Sequence, residues 1–475
     1  MSVHALDPFG GVGREKPAEH DMLGLAIGFL ERAAVCVLIF MFSNALFAPL
    51  LDPDQKAGDS QPLLRLMWLP AYAVILGLAG LRWRLMLKAW RPALLTFAIT
   101  GFVISSVLWS IEPDVTLRRG VALIATTIFG LYMGARHSWK ELVGILGGSF
   151  AFLAVLSLMA VVAMPAFGVH HGVNDGDWRG LWYEKNELGA MMTAGLLSCL
   201  ASAVLAQGAR RWVWLGCAFL CLFMVAMAHA GTSYLCTLLV LAGIPALIIV
   251  RRGGIPAVLT VWAAGLGVGL IGTIAALAPD LILKALGKDP TLTGRTEIWA
   301  ALFRRLADRP QLGYGFAAFW HDPQGPAAFI RKETGWIVPN AHNGWLDMLV
   351  QVGWVGVSLV AVYMVLAYGA ALVRMFHEKD GGFGLIFMTT LLILSFSESV
   401  ILTYNALKWV IFLAVFTKFW GTAPPWRQVE AKPAARQPAY AVPPPRGARD
   451  PFQDEDLGGD VVLVPRWEPG AARGR

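Results

Sequence analysis

Residues 293–320, TGRTEIWAALFRRLADRPQLGYGFAAFW, and residues 338–356, VPNAHNGWLDMLVQVGWVG, decide how the rest of the chain is read. They carry arginines, a histidine, asparagines and paired glycines, while almost everything around them is long apolar segments. In a membrane protein the longest polar excursion between spans is where chemistry on water-soluble groups takes place. The other segments are read as a frame that holds this loop at one face of a bilayer.

Composition sets the class. Of 475 residues, 56% are hydrophobic and only 15% charged, with a mean hydropathy of +0.58. A soluble domain is nearer 45–50% apolar and about 25% charged. Repeated apolar runs of about twenty residues each cross a hydrocarbon core roughly 30 Å thick as a helix. The alternating segments of ~10 residues that mark a membrane β-barrel are absent. The expected fold is all-α, a polytopic helical membrane protein of about twelve spans with a large periplasmic loop carrying short helices. The spans are placed near 26–47, 66–81, 93–109, 118–134, 142–164, 187–206, 212–228, 234–250, 255–278, 345–372, 383–403 and 405–420.

Charge orients this frame. Arg82, Arg84, Lys88 and Arg91 follow the second span, and Arg136 and Lys140 the fourth. Arg210 and Arg211 follow the sixth, Arg251 and Arg252 the eighth, and Arg374 and Lys379 the tenth. Basic short loops lie in the cytoplasm, so both termini are expected inside and the loops 165–186 and 279–344 outside. Residues 1–21 lack a cleavable signal pattern and read as a cytosolic tail. Residues 22–420 form the membrane domain. The tail 421–475, rich in proline and mixed charge, is too poor in large apolar groups to fold on its own. The net charge of +7 is spent on these loops, and no nucleic-acid partner is expected. Cys36, Cys199, Cys217, Cys221 and Cys236 fall in or beside apolar runs and read as small core residues.

Two outer loops carry chemistry. His170 to Gly189 places Arg179, Lys185 and Asn186 at the mouth of the sixth span, with Trp178 and Trp182 as interfacial anchors. The neighbouring His170 and His171 point different ways on regular structure and do not read as a metal pair. In the large loop Thr293 is a candidate N-cap and Glu297 sits favourably in the first turn. Ile298, Trp299, Leu302, Phe303 and Leu306 make an apolar stripe, predicting an amphipathic helix in the membrane interface that Pro310 stops. Arg295 stands apart at its start, where a guanidinium forks onto phosphate oxygens. Gly313-Tyr314-Gly315 lacks the strand–helix setting of a nucleotide loop and reads as a turn. Beyond it His342 sits at the membrane face, Asn343 and Asp347 share a helix face, and Glu398 lies in an apolar run. Charges at that depth are costly and point to function.

These pieces, in this order, resemble the O-antigen ligase and polymerase superfamily of bacterial membrane glycosyltransferases, in particular its succinoglycan-type exopolysaccharide polymerase branch. The matching residues are Leu108 to Pro113 with Leu117-Arg118-Arg119, Arg179-Gly180 with Lys185-Asn186, Gly294 to Trp299, Gly313 to Phe316 with Phe319-Trp320, His342 to Asp347, and Gly353 with Gly356. The resemblance implies an inverting, metal-independent and cofactor-free transfer of a glycan from an undecaprenyl-diphosphate carrier in the inner membrane. Arg179 and Arg295 would hold the diphosphate and His342 would serve the acceptor hydroxyl. Lys185, Asn186, Glu297, Tyr314, Asn343 and Asp347 are expected to contact substrate. The expected partners are lipid-linked donor and acceptor, membrane lipid, and other polysaccharide export or chain-length proteins. The ligase branch often has Pro-Asn where this chain has Lys185-Asn186, which favours polymerisation over ligation to lipid A-core or protein. A flippase would spread charge along a mid-membrane path; here charge gathers in two loops on one face, Glu398 apart.

Overall fold

The computed structural model describes residues 19–46, 49–50, 62–172, 174–277, 294–335, 337–375 and 381–421. Thr293, Lys379, most of the N-terminal tail and nearly all of the C-terminal tail therefore lie outside the described residues. Among the described residues the regular structure is helical, save one isolated antiparallel bridge between Val169 and Trp178. Its main helices are α1 (Glu19–Phe42), α2 (Pro62–Leu81), α3 (Trp90–Ser105), α4 (Pro113–Arg136), α5 (Trp139–Ala163), α6 (Lys185–Leu205) and α7 (Ala209–Ala228). After these come α8 (Gly231–Arg252), α9 (Gly254–Leu277), α10 (Arg295–Leu306), α11 (Pro326–Thr334), α12 (Gly344–Arg374), α13 (Gly382–Ser395) and α14 (Leu407–Gly421).

Every expected span coincides with one of these helices, yet only eight are long and apolar enough to cross a membrane: α1, α3 to α8 and α12. Twelve is therefore the number of apolar segments, and the structure establishes eight spanning candidates among the described residues. The largest departure is at 383–403. Its helix stops at Ser395, and residues 396–406 run irregularly before α14, carrying Glu398, Ser399, Thr403 and Tyr404.

Local chemistry accounts for the helix ends. Proline occupies the first turn of α4, where its missing N–H costs nothing. Ser138 and Glu141 form a reciprocal capping box on α5, satisfying two orphan amides. The expected cap of α10 is corrected: the N-cap is Gly294 at φ 83°, with no side-chain cap bond. Helix α10 ends at Leu306, ahead of Pro310, and the Tyr314 hydroxyl donates to the carbonyl of Arg305 at 2.6 Å. Its apolar stripe is also corrected. Ile298, Ala301 and Leu302 are fully buried in a satellite core with Phe319, Ala327, Ile330, Val338 and Val350. Most of the stripe is covered by protein, from the same loop and from Val350 of α12, while Phe303 stays exposed. Cys36 is exposed and Cys217 half-buried, so only Cys199, Cys221 and Cys236 are core residues.

Two buried polar arrangements fix the frame. The carboxylate of Glu31, 1% exposed, accepts from Arg82 at 2.9 and 2.6 Å, from Arg136 at 3.1 and 3.2 Å and from the Tyr132 hydroxyl at 2.6 Å. This ties α1 to the ends of α2 and α4 and brings two of the basic loops to one side. Glu31→Ala strands two partly buried guanidinium groups; losing one partner of such a cluster typically costs about 3–5 kcal/mol. A clear drop in the thermal midpoint of detergent-purified protein is expected, and an unchanged midpoint would show the cluster to be incidental.

The second arrangement is a break in α12. Gly353 has φ 66° and ψ −171° inside an otherwise helical run. The ladder is interrupted there, and the segment 310–315 fills the gap. Tyr314 and Gly315 donate their amides to the carbonyls of Val350 and Gln351 at 2.8 and 2.9 Å, while Trp354 and Val355 donate to those of Pro310 and Gln311 at 2.9 and 3.1 Å. Backbone groups freed at membrane depth must find partners inside the protein. The glycine-paired turn read from the sequence is that partner. It is held from the other side by residues 106–116: Ile111 donates to Tyr314 O, Trp109 to Leu312 O and Thr116 to Phe316 O.

Candidate functional site

The first turn of α10, the turn before α12 and the irregular segment after α13 meet at one place. Arg295 donates to the carbonyl of Ser397 at 2.9 Å and more weakly to that of His342 at 3.5 Å. Its second guanidinium nitrogen lies 3.6 Å from Glu398 Oε1, and His342 Nδ1 lies 4.0 Å from Glu398 Oε2. One helical turn along α10, the Trp299 indole donates to Ala341 O at 2.9 Å, pinning the helix to the histidine turn. Burial, reinforced by the Arg295 cation, pushes the His342 imidazole down to about 4 from its ordinary value of 6.5. The ring is therefore neutral at physiological pH and able to accept a proton.

His342 holds φ 47°, the left-handed region that non-glycine residues rarely adopt. Asn340 Oδ1 accepts its amide at 2.8 Å. Asp347 completes the clamp, accepting from Ala341 N at 3.0 Å, from the Trp320 indole at 2.8 Å and from the Ser399 hydroxyl. A carboxylate bound in this way joins the histidine turn, the 316–321 turn and the segment after α13. Asp347 is thus engaged as a positioning group, where substrate contact had been expected.

Beside the cluster opens a cavity of about 340 Å³. Its wall includes Arg119 from α4, Trp320 and His321, Asn340, Asp347 and Gln351, and Ser399 with Ile401 to Tyr404. Ala317 and Leu402 on this wall also hold left-handed φ, 57° and 50°. Strained backbone gathers where function requires a fixed geometry.

The other expected site residues fall elsewhere. Arg179 lines a second cavity of about 250 Å³ with Pro49, Ala166, Phe167 and Tyr183, and donates to the carbonyls of Phe167 and Ala166 at 2.8 and 3.3 Å. Arg295 and His342 line neither this cavity nor the first, so neither cavity holds Arg179, Arg295 and His342 together. The Lys185 ammonium is paired with Asp177 at 2.6 Å, and Asn186 sits half-buried in the first turn of α6. Asn343 caps α12, its side-chain oxygen accepting from Trp345 and Leu346. Tyr314 is buried against Phe319 with its hydroxyl occupied, and Glu297 is exposed. Among the described residues no group of three His, Cys, Asp or Glu side chains comes together; His170 instead accepts the Lys185 amide at 3.1 Å.

Residues 186–361 match the family model described as O-antigen ligase. Over that stretch the chain is similar to the O-antigen ligase superfamily. Over 329 residues it is 27% identical to the exopolysaccharide production protein ExoQ of Rhizobium meliloti (strain 1021), an overlap covering 66% of this chain and 71% of that protein. These similarities, together with the eight long apolar helices, support a multi-pass membrane protein of the polysaccharide polymerase and ligase type. The superfamily match includes Arg295, His342 and Asp347 and leaves Arg119 and Glu398 outside it. In the sequence Arg119 stands out only within Leu117-Arg118-Arg119, and Glu398 only as a charge in an apolar run. For Arg119 the available signal was a guanidinium at the outer end of an apolar span. For Glu398 it was a carboxyl inside a segment whose serines break helical periodicity.

Proposed function

We propose that this protein transfers a glycan from an undecaprenyl-diphosphate carrier to a hydroxyl of another lipid-linked repeat unit, with inversion, at the periplasmic face of the inner membrane. The observation that carries this reading is the meeting of Arg295, His342 and Glu398 at the start of α12, next to a cavity that their neighbours Asn340, Gly344 and Ser399 line. In the reaction, the bond from the anomeric carbon to the diphosphate oxygen breaks and its electron pair leaves with the diphosphate. The acceptor oxygen forms the new bond to that carbon and its proton passes to His342.

Each residue has a defined part. Arg295 neutralises the departing diphosphate; its 3.6 Å approach to Glu398 is longer than a hydrogen bond, so phosphate oxygens take that nitrogen without displacing a short bond. His342 is neutral and accepts the hydroxyl proton. Glu398 then faces the imidazolium and balances its charge. The diphosphate ester is itself the energy source, which suits a chain whose glycine pair braces a helix instead of cradling a nucleotide. Support for polymerisation comes from the relative named for exopolysaccharide production and from Lys185-Asn186. Support for the ligase alternative comes from the description of the matching family model. The basic short loops support cytoplasmic termini, and chain-length or export proteins are the natural partners of such an enzyme.

The test is the lipid-linked pool of a strain carrying Arg295→Ala. Losing a charge-assisted contact of about 1.5–3 kcal/mol lowers transfer by roughly tenfold to more than a hundredfold, and single repeat units accumulate on the outer leaflet. Long chains left unattached would identify a ligase, and units held on the inner leaflet a flippase. Normal polymer from well-inserted protein would remove Arg295 from the mechanism.

A further inference from the structure

The 340 Å³ cavity has an uneven hydrogen-bonding character. Three of its side-chain acceptors are turned into the protein: Asn340 Oδ1 takes the His342 amide, Gln351 Oε1 takes the Ala317 amide at 2.7 Å, and Asp347 takes three donors. Backbone N–H groups fix those amide orientations, because only the oxygen of a side-chain amide can accept. The NH2 groups of Asn340 and Gln351 have no protein acceptor among the described residues and are left for whatever fills the cavity. Arg119 adds a full charge. Its guanidinium lies 5.6 Å from the centre of the Tyr404 ring and gives one N–H to Ala317 O at 2.6 Å. A guanidinium has five N–H donors, and no carboxylate pairs with Arg119 among the described residues. A cation in a membrane-embedded wall calls for an anion, and an aromatic ring in the same wall suits the apolar face of a sugar. The volume lies at the small end of ligand pockets, which run ~300–1,000 Å³, fitting the end of a glycan rather than a long chain.

We propose that this cavity binds a sugar unit bearing a carboxylate, that Arg119 is the residue that reads the charge, and that Tyr404 stacks on the ring. The assignment rests on the glycosyltransferase reading for its biological meaning, but its test measures binding and requires no transfer. Detergent-purified full-length protein is titrated with methyl glucuronide, methyl glucoside and inorganic diphosphate, following thermal stabilisation, which reports ligand binding by mass action. The glucuronide is expected to stabilise the wild type about tenfold more effectively in concentration than the neutral glucoside, consistent with one charge-assisted contact. Arg119→Gln abolishes that preference, and Arg119→Lys, which keeps the cation, retains part of it. Arg295→Ala leaves it intact while losing transfer, which separates this proposal from the catalytic one. Equal response to glucuronide and glucoside overturns the proposal. So does a glucuronide preference that survives Arg119→Gln, or one lost equally in the lysine variant. A diphosphate response that alone depends on Arg119 would assign the cavity to the carrier's phosphates and overturn the sugar assignment.

Discussion

Gly353→Ala is expected to abolish a stable fold around the active cavity, whereas Gly369→Ala on the same helix is expected to be neutral or slightly stabilising. A Cβ built on Gly353 meets the backbone carbonyl carbon and oxygen of Gln311 at 2.2 Å and the amide of Leu312 at 2.4 Å. Those atoms belong to the segment that fills the helix break, so they cannot rotate away as a side chain would. The residue also sits at φ 66°, where an L-residue is penalised by roughly 1–2 kcal/mol. Adding the cost of overpacking, typically ~1–3 kcal/mol, gives a loss of roughly 2–5 kcal/mol. Nothing lies within 4 Å of a Cβ on Gly369, and alanine there gains helix propensity of up to about 1 kcal/mol. Thermal unfolding of the two purified variants side by side is the measurement. Equal midpoints would mean that the 310–315 segment does not pack into the break. Gly313→Ala should behave like Gly353→Ala, since its Cβ would lie 2.6 Å from Gln351.

His342→Ala should lower transfer by about 10²–10⁴-fold while leaving the protein folded, the usual contribution of a positioned general base. The pH dependence separates this role from a structural one. The folded imidazole titrates at about 4 and the unfolded one near 6.5. Wild-type transfer should therefore stay level as pH falls through 6.5 and decline only on approaching the lower value. His342→Ala should lack that low-pH limb. Stability carries a matching sign: between the two values the unfolded chain binds the extra proton, so stability is present above about 6.5 and is lost as pH falls towards 4. A transfer rate in wild type that halves near pH 6.5 would contradict the buried, arginine-flanked setting of the ring.

Much of this site was legible along the chain, and the misses have physical causes. Arg295 and His342 stood out because charge and imidazole are rare beside apolar spans, and the structure brings them together. Arg179 stood out for the same reason, yet it lines a different cavity, because nothing in local spacing states which loops meet. Tyr314, Asn343 and Asp347 were picked as substrate contacts. Their polar atoms are consumed in bracing: Tyr314 closes the end of α10, Asn343 caps α12 and Asp347 clamps three segments. A polar side chain at membrane depth must be satisfied, and one-dimensional pattern does not distinguish satisfaction by protein from satisfaction by substrate.

By itself the sequence determined a helical membrane protein, its apolar segments, the basic side of its loops and the polar excursion in which the proposed site lies. Those follow from composition and period, which act locally along the chain. Tertiary structure alone decided that α12 breaks at Gly353, that Ile298 and Leu302 of the α10 stripe are buried in a satellite core, and that Arg119 and Glu398 flank the site. Each depends on which distant backbone atoms approach one another, and that is settled by packing and hydrogen-bond satisfaction across the whole bundle.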